Sequence, residues 1–281
     1  FQLDDDSLLV FDAGSGLKNL GEKIFDIYNN KIPEIHILVS HFMWDHIMGI
    51  PFFKPLYKPG CKINFYSAQR EDHSLREIFS VQHSRDYFHI DFVELPADLH
   101  FYGVQSYKPF KIKDAVIMPV HLNHADITLG YIVAYKDKKI AYITDTAPFH
   151  TKFLGTLPNP KYSETKFLDY IYKNLLNYCK NSNIVYMDCH FTEEEYKGKH
   201  HWGHSTPDYG LDFCLKCNAK NFFIGHHAPE HKDDLIDNIV TDLKTKNPNP
   251  ELKIFGAKEN MTVKIITSEA QDENKEGNNG N

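Results

Sequence analysis

The chain predicts an α/β fold: two central sheets with helices on their outer faces, a four-layer αββα sandwich. Three observations carry this. Apolar runs of strand length recur along the 281 residues. Some lead through a short turn into a stretch with helical apolar spacing. Others follow one another closely as hairpins, a mixture that needs two sheets covered by helices.

Residues 7–12 (SLLVFD) read as a strand ending in Ala13-Gly14-Ser15-Gly16, and residues 17–28 then carry helical spacing. A second strand-to-helix unit covers residues 35–53. Its strand Ile35-His36-Ile37-Leu38-Val39-Ser40 leads into His41-Phe42-Met43-Trp44-Asp45-His46, and Gly49-Ile50-Pro51-Phe52 turns the chain. Side chains alternate in an extended segment, so residues 41, 43 and 45 are expected on one side, with Asp45 and His46 opening the next helix. Short strands are expected at 62–66, 115–120, 128–135 and 139–144, then a helix at 165–179, a buried strand at 183–188, a helix at 207–217 and a strand at 221–224. Residues 1–267 are expected to form one domain, with room for a missing N-terminal strand because the chain begins at Phe1. The polar stretch 268–281 reads as a disordered tail.

With 42% hydrophobic and 25% charged residues, the composition is that of an ordinary globular protein. No apolar run is long enough to span a membrane. Five scattered cysteines, an odd number, favour a reducing cytoplasm over a disulfide framework. The net charge of −7 comes without a basic stripe, which argues against a large nucleic-acid partner. A small phosphodiester or nucleotide substrate needs only a local patch. Neither charge nor length speaks against a homodimer.

The segment His41 to His46 resembles the HxHxDH signature of the metallo-β-lactamase-fold hydrolases, with Met43 where the family has its second histidine. A thioether suits Cu(I) far better than zinc, manganese or iron(II). Four further segments resemble the family's other motifs in order. They are Phe11-Asp12-Ala13-Gly14, Val120-His121-Leu122-Asn123-His124, Ala141-Tyr142-Ile143-Thr144-Asp145 and Phe223-Ile224-Gly225-His226. The resemblance implies that Asp45, His46, His226 and Asp145 hold one divalent metal. His41, His124 and Asp145 would hold a second, with the place of Met43 unfilled, so that one or two metals bind per chain. Zinc is expected first, with manganese or iron as alternatives. Asp12 would buttress the ligands, and His227 and His231 would support them. A carboxylate shared by two cations holds them about 3.5–4 Å apart around a shared hydroxide nucleophile.

Trp202-Gly203-His204-Ser205-Thr206, preceded by Tyr186-Met187-Asp188-Cys189-His190-Phe191, resembles the loop and acidic partner of the ribonuclease Z and cyclic-nucleotide phosphodiesterase branch. By that resemblance Asp45, His204 and Asp188 are the catalytic residues, with His204 protonating the leaving oxygen and Asp188 orienting it. The expected activity is metal-dependent hydrolysis of a small, cyclic-nucleotide-like phosphodiester. Ribonuclease Z itself fits less well, because residues 151–165 are short and not basic, unlike its tRNA-holding arm. Two alternatives stand beside this: a catalytically weakened ligand- or metal-binding sensor, supported by Met43, and a lactonase or β-lactam hydrolase, which leaves the 202–206 loop unexplained. His36, alternating within an apolar strand, reads as structural. His73, His83, His89 and His100 read as solvated or packing residues, and Cys214-Leu215-Lys216-Cys217 as helix packing.

Overall fold

The computed structural model describes residues 1–28, 31–155, 157 and 163–265. The tail expected over residues 268–281 and part of the 151–165 segment lie outside them. By its internal contacts the chain divides into two compact units, Phe1–Lys108 and Pro109–Asn281.

The first unit is built on β1 (Leu8–Phe11), α1 (Gly16–Tyr28), β2 (Ile35–Leu38), α2 (Trp44–Ile47), β3 (Lys62–Ala68), α3 (Leu75–Ser80) and β4 (Asp98–Val104). The sheet runs β1-β2-β3-β4 with every pair parallel, so each strand is followed by a crossover. All four residues of β2 are buried, as both faces of a parallel strand usually are. Ile24, Ile35, Ile37, Phe53, Phe65, Phe79 and Phe92 form the core, where the Phe65 and Phe101 rings stack 5.4 Å apart. Two of the histidines set aside in the sequence pack here. His36 meets the Tyr66 hydroxyl at 3.1 Å. His83 lies edge-on to Phe88 and Phe92, and burial pushes its imidazole down to about 4.

The second unit opens with a meander of β5 (Phe110–Ile112), β6 (Ala115–His121), β7 (Leu129–Tyr135) and β8 (Lys138–Ile143), antiparallel throughout. Helical crossovers follow: α4 (Glu164–Cys179), β9 (Ile184–Asp188), α5 (Glu193–Tyr196), α6 (Pro207–Lys216), β10 (Asn221–Gly225), α7 (Asp233–Lys246) and β11 (Lys253–Gly256). The sheet order is β11-β10-β9-β8-β7-β6-β5, parallel from β8 onward. In α4 the buried Phe167, Leu168, Ile171, Leu175 and Cys179 fall on one face, and Ser163 caps its first turn by accepting from the Lys166 amide. Cys214 and Cys217 are buried in and just after α6, and all five cysteines are free thiols.

The α/β class with two sheets is as expected. The sequence reading passed over β4, β5, α3, α5, α7 and β11. β4 shows no alternation of burial along its length, and α7 buries only Val240 and Leu243 in a strongly charged sequence. β4 therefore lacks the period-two signal of a strand, whereas α7 carries Leu235, Ile236, Ile239, Val240 and Leu243 at helical spacing.

Candidate metal and acid-base site

In the first unit the candidate residues gather where adjacent parallel strands end. β1 and β2 run in register from Leu8↔Ile35 to Phe11↔Leu38, so Asp12 and Ser40 emerge at the same sheet edge. Asp12 has φ +58°, a left-handed conformation that aspartate tolerates better than most residues. The turn aims its carboxylate at the next loop. Oδ1 accepts from the Ser40 amide at 2.6 Å, and Oδ2 accepts from the Ser40 hydroxyl at 2.9 Å and from His46 Nδ1 at 2.8 Å. A carboxylate only accepts, so His46 carries its proton on Nδ1 and its lone pair on Nε2. Nε2 lies 3.2 Å from Asp45 Oδ2, and the His41 ring centroid is 4.2 Å from that of His46. The Ala13 amide donates to the His46 carbonyl and the Gly49 amide to the Ala13 carbonyl, tying α2 to the 12–14 loop. A Cβ on Gly49 would strike the Gly14 carbonyl, which is why the chain needs glycine there.

Met43 stands apart from its neighbours in burial. His41 and His46 are each 4% exposed, whereas Met43 is 42% exposed. Met43, at φ −62°, ψ 148°, is extended and is the residue capping α2. Asp45 is already helical.

In the second unit β8, β9 and β10 are parallel neighbours, and β6 points the same way through two antiparallel steps. Asp145, Asp188, His226 and His124 therefore follow strand ends at one edge of one sheet, where α/β proteins place their ligands. Asp145 turns one oxygen toward each of two imidazoles: Oδ2 is 3.8 Å from His124 Nε2, and Oδ1 is 3.4 Å from His226 Nε2. Two tetrahedral ligands with bonds near 2.1 Å stand about 3.4 Å apart, so this spacing suits a shared cation. The Thr144 hydroxyl donates to the same Oδ1 at 2.9 Å. His226 holds φ +52° and donates its amide to the Tyr186 hydroxyl at 3.0 Å. Burial pushes the His124 imidazole below its ordinary value against the pull of Asp145.

Asp188 is fully buried and carries four hydrogen bonds. Oδ2 accepts from the Thr146 amide at 3.1 Å, the Ser205 amide at 3.2 Å and His204 Nδ1 at 3.1 Å, and Oδ1 accepts from the His190 amide at 3.0 Å. The loop is locked further by the Ser205 hydroxyl donating to the Thr146 carbonyl. Gly203, at φ +86°, lets its carbonyl accept from His124 Nδ1 at 2.9 Å, and a Cβ there would collide with the His124 ring. His231 Nε2 sits 2.9 Å from Glu195, whose carboxyl is raised by burial but brought down to about 2 by hydrogen bonds from Thr192 and His231. Burial, then the neighbouring His231 and His226, push His227 down to about 4.

Sequence reasoning missed His190. Its ring lies 4.3 Å from that of His204 and 5.2 Å from that of His226, and its Nδ1 donates to the His226 carbonyl at 2.9 Å. The signal available was its place two residues beyond Asp188 at a strand end.

In each unit the donors, imidazoles and carboxylates, are of a kind that fits a divalent cation: the Nδ1 atom of His46 in the first unit, and those of His124, His190 and His204 in the second, are spoken for by an acceptor, leaving Nε2 with the lone pair. Fold and residues together define an α/β protein with His/Asp clusters able to hold a metal. The Beta-lactamase superfamily domain matches residues 9–163, more than half of the chain, and the protein belongs to that family. Solved structures of the metallo-β-lactamase fold resemble it at low identity. YhfI from Bacillus subtilis is 14% identical over 94% of this chain and 90% of its own, with a TM-score of 0.63. The short form of human tRNase Z is 15% identical over 95% and 91%, with a TM-score of 0.61. A diphosphatase of the PhnP family is 17% identical over 94% and 82%, with a TM-score of 0.58. No curated protein sequence matches the chain significantly. Among the described residues no helix is long and apolar enough to cross a membrane.

Proposed function

We propose that this protein is a metal-dependent hydrolase of small, cyclic-nucleotide-like phosphodiesters, working in the cytoplasm with zinc as the first candidate metal. The observation that carries the reading is the pairing of His204 Nδ1 with the buried, four-bonded Asp188. The ligands are those named from the motifs: His41, Asp45 and His46 in the first unit, and His124, Asp145 and His226 in the second. Divalent cations, when bound, supply Lewis acidity toward the phosphoryl oxygens and lower the pKa of water.

The chain's own part in the reaction is positioning and proton transfer. Asp188 takes the Nδ1 proton of His204 as a hydrogen bond and so reserves Nε2 for the substrate. Protonated there, His204 gives its proton to the departing alkoxide and returns to the neutral ring with Nδ1–H still held by Asp188. The three other donors around Asp188 hold its carboxylate in place. Asp12 and the Gly203 carbonyl do the equivalent orienting work for His46 and His124. The similarity in fold to proteins named tRNase Z, PhnP-family diphosphatase and yeast PDE1 supports phosphate-ester chemistry. A second reading, a weakened ligand- or metal-binding sensor, has the exposed Met43 in its favour.

The test is His204→Ala assayed on two kinds of diester. Hydrolysis with an alkoxide leaving group should fall by about 10²–10⁴-fold, while hydrolysis with a nitrophenolate leaving group should fall far less. Equal losses on both would place His204 in phosphate binding, and no loss on either would remove the assignment.

A further inference from the structure

The second unit holds a cluster that the motif-derived ligand set does not contain. His190, His204 and His226 each place a ring nitrogen within 4.8 Å of those of the other two. The rings lie close together: His190 and His204 at 18° and His204 and His226 at 23°, with centroids 4.3 and 5.1 Å apart, and His190 and His226 at 36° with centroids 5.2 Å apart. Two of the three rings are fixed by partners that can only accept. His204 Nδ1 donates to Asp188 and His190 Nδ1 to the His226 carbonyl. On each of these rings the lone pair therefore lies on Nε2. An imidazole whose far nitrogen is anchored to a carboxylate or a carbonyl is also the usual form of a histidine metal ligand.

From this geometry we infer a three-imidazole site for a borderline divalent cation of the zinc or copper class, made by His190, His204 and His226. All-nitrogen donation suits zinc, copper and nickel and disfavours magnesium, calcium and manganese. The site shares only His226 with the motif-derived ligands and recruits His190 and His204, which that set does not use as ligands. Its occupation ties up the Nε2 that the proposed hydrolysis needs as an acid. In that respect it rests on the function proposed above, and a cation in excess becomes an inhibitor.

Zinc binding to the metal-free full chain, measured against a chromophoric chelator, tests the inference without any turnover. His190→Gln and His204→Gln should each weaken one class of bound zinc by at least about tenfold, while His200→Gln, at an exposed neighbour, should titrate like the wild type. If cations sit only on the motif-derived ligands, both variants bind zinc as the wild type does, and the inference is overturned. A measurement on the unaltered chain guards against misfolded variants. Diethyl pyrocarbonate should modify His190 and His204 in the metal-free protein and be blocked by zinc, and equal modification with and without zinc overturns the site. Should both binding results hold while no diester is hydrolysed, the cation site stands and only the proposed activity falls. If hydrolysis is found, excess zinc should inhibit the wild type more strongly than His190→Gln, and equal inhibition would refute the inhibitory role.

Discussion

Replacing Asp188 by asparagine changes one atom in a buried carboxylate that carries four hydrogen bonds. The carboxylate accepts three hydrogen bonds on Oδ2 and one on Oδ1. An amide offers a single acceptor oxygen. Its best orientation keeps that oxygen toward Thr146, His204 and Ser205 and turns the NH₂ group toward the His190 amide, setting donor against donor. An unsatisfied buried N–H costs about 1–3 kcal/mol, and each of the three surviving bonds loses its charge assistance, roughly 1 kcal/mol apiece. Relief from burying a charge returns part of this. The net destabilisation should be about 3 kcal/mol, which is measurable by urea unfolding of the metal-free chain at neutral pH. The same variant leaves His204 less firmly oriented, so hydrolysis of alkoxide diesters should fall by roughly tenfold, less than for His204→Ala. Stability within about 0.5 kcal/mol of the wild type, together with an unchanged rate, would refute the reasoning on both counts.

Burial holds the His121 imidazole down to about 4 against an ordinary 6.5. The unfolded chain therefore takes up a proton between these values that the folded chain refuses. The stability tied to this group is complete above about pH 6.5 and drains away as the pH falls toward 4, about 2 kcal/mol of it by pH 5. His121→Phe, which keeps the contacts with Phe153 and Phe167, should narrow the stability difference between pH 7.5 and 5 by that amount; an unaltered difference in urea midpoints would count against it. Gly203→Ala drives a Cβ into the His124 ring and should weaken zinc binding by about tenfold, whereas wild-type affinity by chelator competition would show the loop can give way. Met43→His returns a nitrogen donor to the His41–His46 stretch and should raise zinc affinity by about tenfold; an unchanged isotherm would mean that residue 43 lies too far from the other ligands to join them.

Motif residues were legible because each follows an apolar strand directly: Asp12 follows β1, Asp145 lies two residues past β8, and His226 follows β10. Local order along the chain thus translated into position at a sheet edge. His190 was illegible for the opposite reason. Its importance comes from the stacking of its ring on His204, fourteen residues away in sequence, and no periodicity announces that contact. Met43 was harder to place, since regular strand pairing ends at Leu38, before it. β4, without alternating burial, writes no pattern into the sequence, whereas α3, α5 and α7 do carry signals, capping boxes at Ser74–Glu77 and Thr192–Glu195 and helical apolar spacing from Leu235 to Leu243.

Residues 203 to 205 serve several purposes at once. The Gly203 carbonyl steers His124, the His204 ring is held by Asp188, and the Ser205 amide and hydroxyl fasten the strand ends at Asp188 and Thr146. Such a tripeptide evolves as one unit. A lineage could lengthen or recolour the exposed stretch before it, around His200 to Trp202, without touching those bonds. A change inside the three would disturb the hydrogen bonds at His124, Asp188 and Thr146 together, so variation is expected next to this segment and not within it.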